Sequence, residues 1–94
     1  MGRKPRVKPD RLAEKLYTIR DAFGLSQSEL VKRLAAEDMI DAKHISKFEL
    51  GEREPSLIVL LRYARLAGVS LDVLADDELD LPEKLPAKPK HTHR

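Results

Sequence analysis

Between Asp41 and Gly51 the chain runs Ala42-Lys43-His44-Ile45-Ser46-Lys47-Phe48-Glu49-Leu50. Lys43 and Lys47 stand four apart, so on a helix they share one face. Each ammonium group donates hydrogen bonds and suits a row of acceptors such as guanine O6 and N7. His44 donates or accepts according to its tautomer, Ser46 flanks, and Ala42 offers a methyl group that can meet a thymine methyl. Ile45 and Phe48, three apart, are apolar anchors for the opposite face. The plainer account of residues 43, 44, 46 and 47 is a solvated helix face, and spacing alone leaves both accounts standing.

Other chemistries find less support. The chain has no cysteine, which excludes disulfides and cysteine-bound zinc. His91-x-His93 resembles a metal clip, but it sits in a tail with no supporting shell, so neither metal nor other cofactor is expected. Carboxylates are scattered without a cleft-forming sheet or an oriented nucleophile, and an enzyme is the least supported class. There is no strand pattern, no glycine-rich phosphate loop and no internal repeat. No apolar run approaches the roughly 20 residues that cross a bilayer. Met1-Gly2-Arg3-Lys4-Pro5 is basic but lacks the apolar segment of a secretory signal. A soluble, cytoplasmic protein with no membrane partner is expected.

At 94 residues, one small domain is expected, with a core that is marginal but feasible without staples. The net charge of +2 is weak evidence for a polyanionic partner, but the charges are sorted along the chain. Residues 1–9 carry Arg3, Lys4, Arg6 and Lys8 and no acid. Asp72, Asp76, Asp77, Glu78, Asp80 and Glu83 form an acidic block, and Lys84, Lys88, Lys90 and Arg94 turn the tail basic again. A polyanion is attracted by one end of such a molecule and repelled by the other. Charge blocks that only solvate the chain ends are the alternative.

The elements that must position these residues are helical. Residues 1–9, with two prolines and four bases, read as a flexible basic arm. Leu12, Leu16, Ile19 and Phe23 recur at helical spacing after Asp10 as a cap, and Gly24 ends that helix. Ser26-Gln27-Ser28-Glu29 is a capping box for a second helix running to Ala35 or Ala36, with Leu30, Val31 and Leu34 inward. Asp41 caps the third helix, about 42–50, with Asp38 as an alternative, earlier start, and Gly51 closes it. Ser56 opens a fourth, with Leu57, Leu60, Leu61, Ala64 and Ala67 as its apolar positions, and Ser70 caps a short fifth. The domain is drawn at 10–76, and 77–94 as an acidic, then proline- and lysine-rich tail that is disordered from 86 onward. Leu79, Leu81 and Leu85 remain able to dock on the surface.

Taken together, residues 11–75 resemble the five-helix DNA-binding domain of phage repressors and Cro proteins, the XRE family of bacterial regulators. The matching residues are Arg20, Leu25-Ser26-Gln27, Ile45-Ser46, Glu49-x-Gly51, Arg53-Glu54-Pro55-Ser56 and Gly68-Val69-Ser70-Leu71-Asp72. The resemblance implies an all-α, lambda-repressor-like helix-turn-helix fold. One departure is a longer connection between helices 2 and 3, with the extra residues in Ala36–Ile40 and no marking glycine. Met39 or Ile40 is expected to tuck in and anchor it.

The resemblance also assigns roles. It implies that Ala42, Lys43, His44, Ser46 and Lys47 read base edges and that Gln27, at an open helix start, touches a DNA phosphate. Arg53 is placed for the flanking phosphate, with a salt bridge to Glu52 or Glu54 as its alternative. Arg20 and Glu49 are expected to pair and lock helix 1 to helix 3, since a carboxylate aimed at phosphates would repel them. Arg3, Lys4 and Arg6 resemble minor-groove arms. A sequence-specific transcriptional regulator is implied, a repressor that binds double-stranded DNA as a homodimer, with helix 5, Val73, Leu79 and Leu81 as the dimer surface. The alternative is an antitoxin-type interaction module whose tail, 76–94, binds a small basic toxin and which regulates its own operon.

Overall fold

The computed structural model describes residues 9–86 and, among them, five helices and no strand. These are α1 (Leu12–Phe23), α2 (Gln27–Arg33), α3 (Ala42–Glu49), α4 (Leu57–Ala67) and α5 (Leu71–Ala75). The arm residues Arg3, Lys4 and Arg6 and the pair His91 and His93 lie outside the described residues.

Each helix contributes one apolar stripe to a single core. Leu16 and Ile19 of α1, Leu30 of α2, Ile45 and Phe48 of α3, Val59 and Tyr63 of α4 and Leu74 of α5 are all buried. Burying one such side chain contributes about 1.5–3 kcal/mol, and that packing, more than helix propensity, holds seven- and eight-residue helices together. α1 packs against α3, α4 and α5, while α2 packs against α3.

Four helices end in the same way. A left-handed residue follows the last turn, and two amides fold back onto free carbonyls. In α1, α3 and α4 that residue is Gly24, Gly51 or Gly68. In α2 it is Ala35, at φ 54°, so the helix stops at Arg33 rather than at Ala35 or Ala36. The Ala36 amide reaches the Val31 carbonyl and the Ala35 amide that of Lys32. Arg62 of α4 then donates to the Ala35 carbonyl at 2.6 Å. The long connection is therefore a closed helix end followed by a turn in which Met39 and Ile40 both bond back to Ala36. Ala36 is buried, Ile40 packs on the core and Met39 stays exposed.

Three further expectations need correction. Asp10 does not cap α1. The carboxylate of Asp77 accepts from the Asp10 and Arg11 amides at 2.9 and 3.1 Å. Arg11 in turn donates to the Asp77 carbonyl and to Asp80. Ser70 does not cap α5 with its side chain, because its hydroxyl donates to Asp72 instead. In α4 the stripe is rotated: Val59 and Tyr63 join Ala64 and Ala67 inside, and Leu57 is 67 % exposed. The run Leu57-Ile58-Val59-Leu60-Leu61 is apolar all round, so its pattern leaves the buried face undetermined.

Packing continues past residue 76. Leu85 is buried and Leu81 lies partly buried against the core. Lys15, only 2 % exposed, donates to the carbonyls of Val73 and Asp76 at 2.8 and 3.0 Å, closing the end of α5 with a cation.

Candidate nucleic-acid interface

α3 is short, and its orientation depends on fixing both ends. At its start Asp41 accepts from the Lys43 and His44 amides at 3.0 and 3.3 Å. These amides, His44 first, hold the Asp41 carboxyl below its ordinary range. His44 Nδ1 lies 3.1 Å from the Asp41 amide and completes the box. Ile45 and Phe48 then sink into the core and fix the rotation of the helix.

That rotation leaves Lys43 and Lys47 exposed, with Ala42 and Ser46 half-buried beside them. These four form one continuous face. His44 stands apart from it. Its ring is engaged at the cap and lies near Phe48, with centroids 6.4 Å apart, in a shallow depression also lined by Met39, Ile40 and Arg53. Arg53 follows the left-handed Gly51, is exposed, and has no ion-pair partner among the described residues.

Behind the face lies a polar joint that links three helices. Arg20 of α1 donates through Nε and Nη2 to the two oxygens of Glu49 at 2.7 and 3.0 Å, a fork-on-fork pair. Its Nη1 donates to the Leu25 carbonyl at 3.0 Å. The Glu49 side chain is 8 % exposed and that of Arg20 19 %. Gln27, the first residue of α2, brings Nε2 to 3.5 Å from Glu49 Oε1. The carboxylate is thus consumed inside the fold, and the start of α2 is tied to the last turn of α3. The Tyr63 hydroxyl is buried close by without a hydrogen bond among the described residues. Burial first, and then the field of Glu49, push its pKa far above the ordinary value.

Sequence reasoning missed Lys15, Arg62 and Asp77, whose partners are 27 to 67 residues away. No local pattern marks such pairs. The Arg20–Glu49 pair was signalled by the family motif and by the repulsion between a carboxylate and phosphates, whereas nothing signalled the approach of Gln27 to Glu49.

Two helices joined by a turn, the second offering a polar face beside a fixed helix start, make a helix-turn-helix unit. The helix-turn-helix family model matches residues 16–74, and the chain belongs to that family, of the XRE/Cro/C1 type. No curated protein matches the sequence. Among solved structures the fold is similar to the P22 c2 repressor protein, crystallised in complex with the synthetic operator 9T. That similarity has a TM-score of 0.60 at 24% identity and covers 70% of this chain and 94% of the repressor chain.

Proposed function

We propose that this protein is a sequence-specific DNA-binding transcriptional regulator, a repressor, that lays α3 in the major groove. Lys43 and Lys47 donate to base edges, Ser46 flanks them, and the Ala42 methyl meets thymine. Gln27 and Arg53 hold phosphates on either side and set the register. His44 serves mainly the helix start, and its Nε2 edge is the part left to reach a base. Arg3, Lys4 and Arg6 add phosphate or minor-groove contacts. Two copies on half-sites about 34 Å apart supply the affinity that one short helix lacks.

The observation that carries this reading is the exposure of Lys43, Lys47 and Arg53 while the neighbouring carboxylate, Glu49, is turned inward onto Arg20. Glu49 is thereby withdrawn from the face presented to a polyanion, while the Asp41 carboxylate stays at its edge as the cap of α3. An antitoxin role for the tail finds less support, since Leu81 and Leu85 pack on the core and Arg11 engages Asp77 and Asp80.

Selection of bound sites from random double-stranded DNA tests the proposal. A palindromic preference is expected, and Lys43→Ala with Lys47→Ala is expected to abolish it at unchanged melting temperature. Each mismatched base pair should cost about 1–3 kcal/mol in the wild type. Operator preference retained by the double variant would remove α3 from the role.

A further inference from the structure

The His44 ring is held in a way that suits two charge states. The Asp41 amide donates to His44 Nδ1 at 3.1 Å, so that nitrogen carries a lone pair and Nε2 carries the hydrogen. The same Nδ1 lies 3.1 Å from Asp41 Oδ1, the oxygen that accepts from the Lys43 and His44 amides. A neutral ring accepts from the amide. A protonated ring donates to the carboxylate instead, in a charge-assisted bond. Hydrogen bonds from His44, its amide first, hold the Asp41 carboxyl below its ordinary range, so the carboxylate is ionised when the ring takes up a proton. Protonation therefore exchanges one bond of the capping box for another and leaves the start of α3 closed. Nε2, on the other side of the ring, is a donor in both states.

We infer that His44 is a proton-dependent DNA contact, donating through Nε2 to the phosphate assigned to Arg53. Two acceptors are open to that hydrogen, a base edge and a phosphate oxygen. Place favours the phosphate, because the ring shares a depression with Arg53 and stands apart from the face of Lys43 and Lys47. The side chain is 32 % exposed, enough for its outer edge to be reached. The charged groups around it are few. On α3 they are Lys43 and Lys47, with Asp41 at the cap. From the loop before α4 they are the exposed Arg53 and the half-buried Glu54, while α4 itself and residues 39–40 add none to the depression.

The inference rests on the regulator reading and adds a proton to it. A neutral ring gives a phosphate one hydrogen bond, whereas an imidazolium also neutralises its charge and releases a counterion. Uptake of the proton and binding of DNA then favour each other, since linkage is reciprocal. Histidine is the side chain whose ordinary titration falls between about pH 5 and 8, so the effect belongs to that range.

The test is the salt dependence of binding to one fixed double-stranded DNA, from about 50 to about 200 mM, at about pH 8 and about pH 5.5. The wild type is expected to show a slope steeper by about 0.9 in acid, the share of one phosphate. That rise in salt then weakens binding about 3.5-fold more in acid than at the higher pH. His44→Gln keeps an acceptor for the Asp41 amide at the third helical position and cannot take up a charge. It should melt at the wild-type temperature, prefer the same site and show one slope at both pH values. His91, His93 and the α-amino group also change charge in this range, so His91→Gln with His93→Gln is the control and should keep the wild-type difference. Nitrogen NMR at about pH 8 should find the His44 hydrogen on Nε2. Equal wild-type slopes, a difference that His44→Gln retains, or the opposite tautomer would each overturn the inference and leave the regulator reading standing. A base preference altered by His44→Gln would put Nε2 on a base edge and overturn the phosphate contact. Absence of DNA binding at both pH values would overturn the two together.

Discussion

The two helices of the helix-turn-helix unit and the two helices at the ends of the domain are closed in opposite ways. α2 opens on Ser26 and Glu29, which bond each other's amides at 3.0 and 2.7 Å. α3 opens on Asp41 and His44, again three residues apart. The chain leading into α1 is instead held by Asp77, and α5 is closed by Lys15, across 66 and 58 residues. Local caps form as soon as their own turn forms. Distant caps cost loop-closure entropy and exist only when the whole fold exists. The starts of α2 and α3 are therefore secured turn by turn, whereas the entry to α1 and the end of α5 are secured across the fold.

The contrast can be broken at several points. The largest effect is expected at the joint between the two regions. Arg20→Ala leaves Glu49 desolvated and unpaired, a loss of about 3 kcal/mol or more in urea unfolding. Replacing both partners, Arg20→Met with Glu49→Leu, should recover much of it. Lys15→Met comes next. It removes two charge-assisted bonds from the end of α5 and should cost about 2 kcal/mol, with amide exchange rising in α5 and in 77–85 but not in α3.

Asp77→Asn should have a smaller effect, and one that depends on pH. The Asp10 and Arg11 amides, in that order, hold the Asp77 carboxyl below its ordinary value. A lowered folded-state pKa means that the ionised group stabilises above the ordinary value of about 3.9 and that this contribution is lost as pH falls through the lowered pKa. Acid titration of the variant should lack that share of the decline, while exchange at the start of α1 is already fast at neutral pH. The smallest effect sharpens the contrast from the local side. Ala35→Gly removes the strain of a left-handed alanine and should stabilise by less than about 1 kcal/mol, measured as a raised melting temperature with unchanged DNA preference.

The same division decided what could be read from the sequence. Ser26-x-x-Glu29 and Asp41 ahead of Ile45 and Phe48 carry their own evidence within one turn, so the starts of α2 and α3 were legible to the residue. Gly24, Gly51 and Gly68 marked three of the four left-handed ends, whereas Ala35 gave no sign because alanine ordinarily continues a helix. The buried side of α4 was misread because five consecutive apolar residues satisfy more than one stripe. Asp10 was the nearest carboxylate to the start of α1, and proximity in sequence favoured it over Asp77. Nothing local distinguishes Lys15, buried on its carbonyls, from any exposed lysine. Lys43 and Lys47 were legible as a shared face, but spacing alone does not separate base contact from solvation.

The clasp of Asp77 on Asp10 and Arg11 has a consequence for how the molecule comes into being. During synthesis the first helix leaves the ribosome early and waits with a ragged beginning until nearly the last part of the domain has followed. A gene fragment cut after codon 76 would keep every helix yet leave the stretch of chain that enters the first one without its anchor.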